Sequence, residues 1–287
     1  MDIEEEERRN HYGEIVAIDQ SIGNLRRTLR EMGIEKNTII WFNSDNGGLS
    51  DFWPVTTGGL RGYKPSLYEG GIRVPGIIEW PNGITKSRVT QFPASTLDIF
   101  PTLADIVGIP KSLMLEPQDG ISLTKLFAAE IERRDKPIPF RYQGSAALID
   151  NEFKLIVSDY QQGEYELYDL SQDPQEIRNL MNELPNVARS LRTTFEAWNQ
   201  TVESSVAGKD YPEGKLTQPD RKAVRWTSMP EYKSYLATWG QRPEYKQFVE
   251  YVRLKFTRRI TRWSLRLVFL MGIVLVIWLW RRKPSAL

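Results

Sequence analysis

Apolar residues recur at alternating spacings of three and four between Tyr12 and Met32, at Ile15, Ile18, Ile22, Leu25 and Leu29. That period follows the 3.6-residue turn and predicts an amphipathic helix, which Gly33 ends as a C′ glycine. The charged run from Glu4 to Arg9 reads as the solvated first turns of a helix, with acids at the positive end of the dipole. His11, the only histidine, and Asp19 read as surface or packing residues of this helical region. The pattern then changes to short β-rich runs, Thr38 to Phe42 and Ile77 to Trp80, the second closed by Pro81-Asn82-Gly83. Within Ser95 to Gly108, Ile99, Leu103, Ile106 and Val107 predict a second helical face, with Pro101 in the first turn, where its missing amide costs little. Helices alternating with strands predict an α/β fold built on a parallel sheet with flanking helices.

From about Lys136 the period shortens. Ala146 to Ile149, Lys154 to Val157 and Glu166 to Tyr168 alternate with Asp150-Asn151 and Gln161-Gln162-Gly163, which predicts a small antiparallel sheet. Asp173-Pro174-Gln175-Glu176 has the form of a helix start: an N-cap, a proline at the first position and a glutamate at the third. A further helix is expected from Pro185, with Val187, Leu191, Phe195 and Trp198 on one side. The reading is therefore an α/β portion over 1–135, a small α+β subdomain over 136–207, a linker or irregular region over 208–262 and a hydrophobic helix over 263–280.

That last segment alters what composition implies. The 38 basic and 37 acidic residues of the 287-residue chain nearly cancel. From Tyr251 onward, however, there are nine Lys and Arg and no acid, so the remaining body is acidic. An acidic body does not suggest nucleic acid. The basic residues flank the apolar run Leu267–Trp280, and counting from Trp263 the run approaches the ~20 residues a bilayer span needs. A buried core helix is the alternative for so short a run; the basic flanks favour a membrane helix, with Trp263, Trp278 and Trp280 at the interfaces. Cations lie on both sides of the run, which leaves the orientation open. No apolar h-region opens the chain, so no signal peptide is expected.

The chemistry concentrates between Thr38 and Gly76. The first strand turns polar at Asn43, Ser44, Asp45 and Asn46 before Gly47 and Gly48. Ligands of open α/β sheets bind beyond the carboxyl ends of strands, and Asp45 and Asn46 both offer oxygens suited to a hard cation. Asp-Asn-Gly-Gly is also ordinary turn chemistry. Lys64 lies in the glycine-dense GGLRGYKPSLYEGG, where backbone can approach an anion closely, and it is expected to face a shallow cleft shared with Asp45 and Asn46.

Ser44-Asp45-Asn46-Gly47, Leu60-Arg61-Gly62-Tyr63-Lys64 and Tyr68-Glu69-Gly70-Gly71-Ile72-Arg73-Val74-Pro75 together resemble the sulfatase family of the alkaline-phosphatase superfamily. The resemblance runs from about Tyr12 to Trp198 and includes Asp119-Gly120-Ile121-Ser122-Leu123, which closes the larger domain in that family. It implies a partial alkaline-phosphatase-like sheet, Ca²⁺ held by Asp45 and Asn46, Lys64 in contact with sulfate, and a sulfated small molecule or glycan as substrate. One departure is Pro65, where the family usually has glycine after the lysine; proline fixes φ and lacks an amide donor. The family's formylglycine nucleophile comes from a C/S-x-P/A-x-R motif, and its calcium site uses an upstream pair of aspartates. This sequence has no cysteine, no such motif and no Asp-Asp pair. The expectation is thus a membrane-anchored sulfatase-family chain without catalytic competence of its own. A non-catalytic binding or structural remnant, or a phosphoester hydrolase of the same fold, are the alternatives.

Overall fold

A computed structural model describes residues 3–49, 56–160, 162–210, 214, 224 and 229–242. They fall in two compact units, Met1–Leu216 and Thr217–Leu287.

The first unit opens with α1 (Ile3–Glu31), which ends at Gly33 in the left-handed region with φ 70°. The predicted helix forms, but its apolar face is only partly covered: Ile22 and Leu29 are half-buried, while Ile15, Ile18 and Leu25 stay about half exposed. Arg26 ties α1 to a later element by a two-pronged pair with Glu79, at 2.7 and 2.9 Å. That element is β2 (Gly76–Glu79), which pairs with β1 (Ile40–Asn43) in the register Ile40 to Glu79 and Asn43 to Gly76.

The pairing is antiparallel, which corrects the expected parallel sheet; among the described residues every strand pair is antiparallel. A parallel neighbour requires a crossover that returns the chain to the strand's starting end. Here residues 44–49 and 56–75 lie at the finishing end of β1, and the one-turn α2 (Glu69–Ile72) hands the chain back into β2 in the opposite direction.

A 3₁₀ turn (Thr96–Asp98) leads into α3 (Ile99–Ile106) through a capping box in which Leu97 N–H donates to Ser95 Oγ and Ser95 N–H to Asp98 Oδ2. The helix was expected to bury Leu103 and Val107, yet these are 40 % and 69 % exposed, and Pro101, Thr102 and Ala104 are buried instead. The cause is close approach by the Asp119–Leu123 segment: Leu123 N–H donates to Thr102 Oγ1 at 2.9 Å, Ile121 N–H donates to Asp98 Oδ1 at 2.8 Å, and a Cβ on Gly120 would lie 2.0 Å from Leu97 O. Only the face with small and hydroxyl side chains admits that contact. Asp98 also receives both guanidinium nitrogens of Arg134 at 2.7 Å, in a pair that is essentially fully buried. Next, α4 (Thr124–Ala128) packs Leu126 with Phe92 and Leu123.

The three predicted strand segments join a fourth strand, not predicted, in one antiparallel sheet ordered β3 (Ile138–Tyr142), β4 (Ser145–Asp150), β5 (Phe153–Asp159) and β6 (Glu164–Asp169). Strand alternation gives it two apolar faces. Ala146, Leu148, Leu155, Val157 and Leu167 pack on Ala188, Leu191 and Phe195 of α5 (Pro185–Val206), the helix predicted from Pro185. Ala147, Ile156 and Tyr168 pack on Leu67 and Tyr68, in the segment just before α2. Between sheet and α5, Asp173–Glu176 makes a turn and not the predicted helix start. Asp173 does act as a cap, accepting from Ile177 and Arg178 N–H at 2.8 Å, but Glu176 takes φ 57° and its side chain turns inward and is fully buried, so no helix continues.

In the second unit a 3₁₀ turn (Pro230–Tyr232) precedes α6 (Lys233–Trp239), so part of the stretch read as linker is helical. The hydrophobic helix expected over 263–280 lies outside the described residues. Among the described residues, no helix is long and apolar enough to cross a membrane.

Candidate functional site

Three glycine-bearing segments meet at the finishing end of β1, and backbone hydrogen bonds bind them into one body. Gly47 N–H donates to Gly71 O at 2.8 Å, Lys64 N–H to Gly48 O at 3.0 Å, and Gly70 N–H to Arg61 O at 2.7 Å. The approach is too close for side chains: a Cβ on Gly47 would lie 1.9 Å from Gly70 O, and one on Gly70 would lie 2.2 Å from Gly62 O. Asp45, Asn46 and Lys64 all belong to this body, through segments far apart in the chain.

Asp45 is exposed and Asn46 half-buried. Asp45 Oδ1 accepts from Asn46 N–H at 3.0 Å, and Asn46 Nδ2 donates to Gly47 O at 2.9 Å. This fixes the Asn46 amide by its nitrogen and leaves its oxygen as the remaining acceptor. Lys64 is exposed, and the Lys64–Pro65 peptide is cis. An open pocket nearby is lined by Gly59, Arg61, Gln175, Glu176 and Ile177, and none of Asp45, Asn46 and Lys64 lines it. The loop that carries Lys64 is drawn toward the sheet at Arg61, so the concavity forms there.

Calcium takes six to eight oxygens. Asp45 carries one carboxylate and Asn46 one amide oxygen, and among the described residues no three His, Cys, Asp or Glu side chains converge. Among the described residues, Asp45 and Asn46 do not by themselves make up a calcium site.

Behind the exposed residues lies a polar layer absent from the sequence reading. Arg61 donates to Tyr168 Oη at 2.9 Å, to Glu176 O at 2.8 Å and to Tyr68 Oη at 3.0 Å, with its guanidinium carbon 3.8 Å above the Tyr68 ring. Both phenols in turn donate to Glu166, Tyr168 at 2.6 Å and Tyr68 at 3.0 Å. Desolvation, and hydrogen bonding to the Glu166 carboxylate, push the Tyr68 phenol up to about 12 and raise Tyr168 as well. Deeper still, Lys154 Nζ lies 2.8 Å from Glu69 Oε1 and 2.9 Å from Glu176 Oε1, all three side chains essentially buried. Glu176 Oε2 accepts from Glu69 N–H at 2.6 Å, at the start of α2. Burial pushes the Glu176 carboxyl up, against the pull of Lys154. The one sequence signal was a lysine inside the apolar strand Phe153–Val157, in alternation with residues bound for the core.

Comparison with known proteins places these segments. Residues 2–109 match the family described as Sulfatase, and residues 62–201 the family described as N-sulphoglucosamine sulphohydrolase, C-terminal. A sulfatase of Formosa agariphila is 30 % identical over 210 residues, 63 % of this chain and 38 % of that protein. Human steryl-sulfatase is 33 % identical over 141 residues, 46 % of this chain and 24 % of its own length. Among solved structures, that of Ps i-CgsB in complex with k-i-k-neocarrahexaose superposes with a TM-score of 0.55 at 27 % identity, covering 64 % of this chain and 41 % of the other. The chain thus spans less than half the length of the relatives it matches.

Proposed function

Because this chain belongs to the sulfatase family, and spans less than half of its relatives, we propose that it supplies the substrate-lysine and metal-loop part of a sulfuric ester hydrolase, without a complete active site. The observation that supports this most directly is the backbone union of the Asp45–Gly48 loop with Lys64 and with Gly70–Gly71. In this reading the Lys64 ammonium contacts the sulfate oxygens and offsets the charge that develops on them as the ester bond breaks. Asp45 and Asn46 give two hard oxygens toward a divalent cation, Ca²⁺ by donor chemistry, the other ligands coming from outside these 287 residues. The nucleophile does too, since the sequence has neither cysteine nor a C/S-x-P/A-x-R motif. The substrate class is a sulfated small molecule or glycan, in keeping with the relative named steryl-sulfatase and the relative solved with neocarrahexaose. Residues 263–280 anchor the chain to a membrane, a reading that rests on their hydropathy and basic flanks.

The test is a titration of the purified chain with Ca²⁺ and 4-nitrophenyl sulfate. Turnover should stay at the enzyme-free rate. Ca²⁺ should shift the backbone amide signals of Asp45–Gly48 with an affinity on the order of millimolar, and Asp45→Ala should abolish the shift. Hydrolysis above background that is lost in Lys64→Ala would show a complete site in this chain. Calcium shifts confined to other segments would remove the metal-loop assignment.

A further inference from the structure

The Lys64 loop is held by two devices that reach it from the antiparallel sheet. The first is the face of that sheet opposite α5. Along β5, Leu155 and Val157 point to the α5 side, so Lys154 and Ile156 point to the side of Leu67 and Tyr68. Lys154 therefore enters a layer with no solvent, where an isolated ammonium would be prohibitively costly unless paired. Its partners come from different places: Glu69 begins α2 within the loop body, and Glu176 sits in the strained turn that follows β6. Glu176 closes the circuit by accepting from Glu69 N–H. The second device is Arg61, three residues before Lys64, fixed to Tyr168 and to the carbonyl of the same Glu176. Both devices converge on one turn.

We propose that Lys154 is a positioning residue for the Lys64 loop: the buried Glu69–Lys154–Glu176 triad makes the antiparallel sheet the frame that holds the candidate sulfate-contact lysine in place. The role of Lys64 as sulfate contact rests on the reading of the preceding subsection; the tether itself does not. An ion triad inside a protein core is seldom a net source of stability over apolar residues of the same size, so its use here is geometric. It links three backbone segments at fixed distances, which greasy side chains would not do.

Hydrogen exchange in the full chain tests this. The amides of Gly47, Lys64 and Gly70 report the loop body, because each donates to a backbone oxygen within it. The amides of Leu148, Leu155 and Val157, on the two inner strands of the sheet, report the sheet. In Lys154→Met the loop amides should exchange on the order of 100-fold faster, while the sheet amides change far less. Lys154→Met leaves two buried carboxylates facing each other and could unfold the unit outright, so the triple variant Glu69→Gln, Lys154→Met, Glu176→Gln accompanies it. With no buried charge left unpaired, the triple variant should keep sheet protection and still lose loop protection. Wild-type exchange at the loop amides in the triple variant, or equal losses in loop and sheet, would overturn the proposal. A loop that loosens as expected while Lys64→Ala leaves binding of 4-nitrophenyl sulfate unchanged would keep the tether and reject the sulfate role. An unaltered loop with sulfate binding that depends on Lys64 would do the reverse.

Discussion

Gly47 shows how little room the site leaves to a single residue. Its α-carbon rests against the backbone of Gly70 and Gly71, and a Cβ there would come within 1.9 Å of a carbonyl oxygen that cannot rotate away as a side chain could. Gly47→Ala should therefore cost about 1–3 kcal/mol, as overpacking does, and should weaken the bond from Gly47 N–H to Gly71 O that joins the two loops. Gly76, at the start of β2, is a fair control, since a Cβ there meets nothing within 4 Å. Gly76→Ala should stay within about 0.5 kcal/mol of the parent protein. Urea unfolding of the two variants checks this, and equal midpoints would mean that the loops can separate without loss.

Between β6 and the segment leading into α2, the link is a chain of hydrogen bonds from Arg61 through Tyr68 and Tyr168 to Glu166. It holds only while both phenols carry their protons. In the fold the Tyr68 phenol is pushed up to about 12, from an ordinary value of 10.0, and Tyr168 is also raised; burial is the larger cause, with Glu166 next. The folded state thus retains protons that the unfolded chain releases first. Its stabilising contribution is complete below about pH 10 and declines as pH rises toward and through 12. Urea midpoints measured between pH 9 and 12 should fall more steeply for the parent chain than for Tyr68→Phe/Tyr168→Phe, which has no phenol to ionise. Parallel declines would mean that the two hydroxyls contribute nothing to holding the elements together.

Taken whole, the molecule combines a well-packed sheet and helix with apolar surface left bare. Leu155, Leu167 and Phe195 are almost completely buried, whereas Phe100, Ile77 and Val107 are 54–69 % exposed and the apolar row of α1 is about half exposed. Exposed apolar area on that scale promotes association with other surfaces. Membrane attachment by residues 263–280 is then best tested by the manner of release. The full chain should stay with membranes in high salt and leave only in detergent, whereas a chain ending at residue 262 should not need detergent. Release by salt alone would leave the basic residues as the whole attachment and reject an inserted helix.

Local rules carried the reading wherever neighbouring residues decide the outcome. The 3.6-residue period placed α1 and α5, left-handed Gly33 ended the first helix, and period-two segments with turn residues gave the antiparallel sheet. Asp45, Asn46 and Lys64 were singled out on the same local ground, as short strings of distinctive chemistry. Tertiary structure alone decided which faces are covered. It made Thr102 a buried residue and Leu103 a half-exposed one, turned the expected parallel pair antiparallel, and diverted the helix start at Asp173 into a turn. The diversion has a plain physical cause. Glu176 serves Lys154, which lies 22 residues earlier on β5, and a buried ammonium outweighs the modest helix preference of four local residues. No period or propensity registers a partner that far along the chain, so the triad behind the Lys64 loop appears only once the sheet has folded.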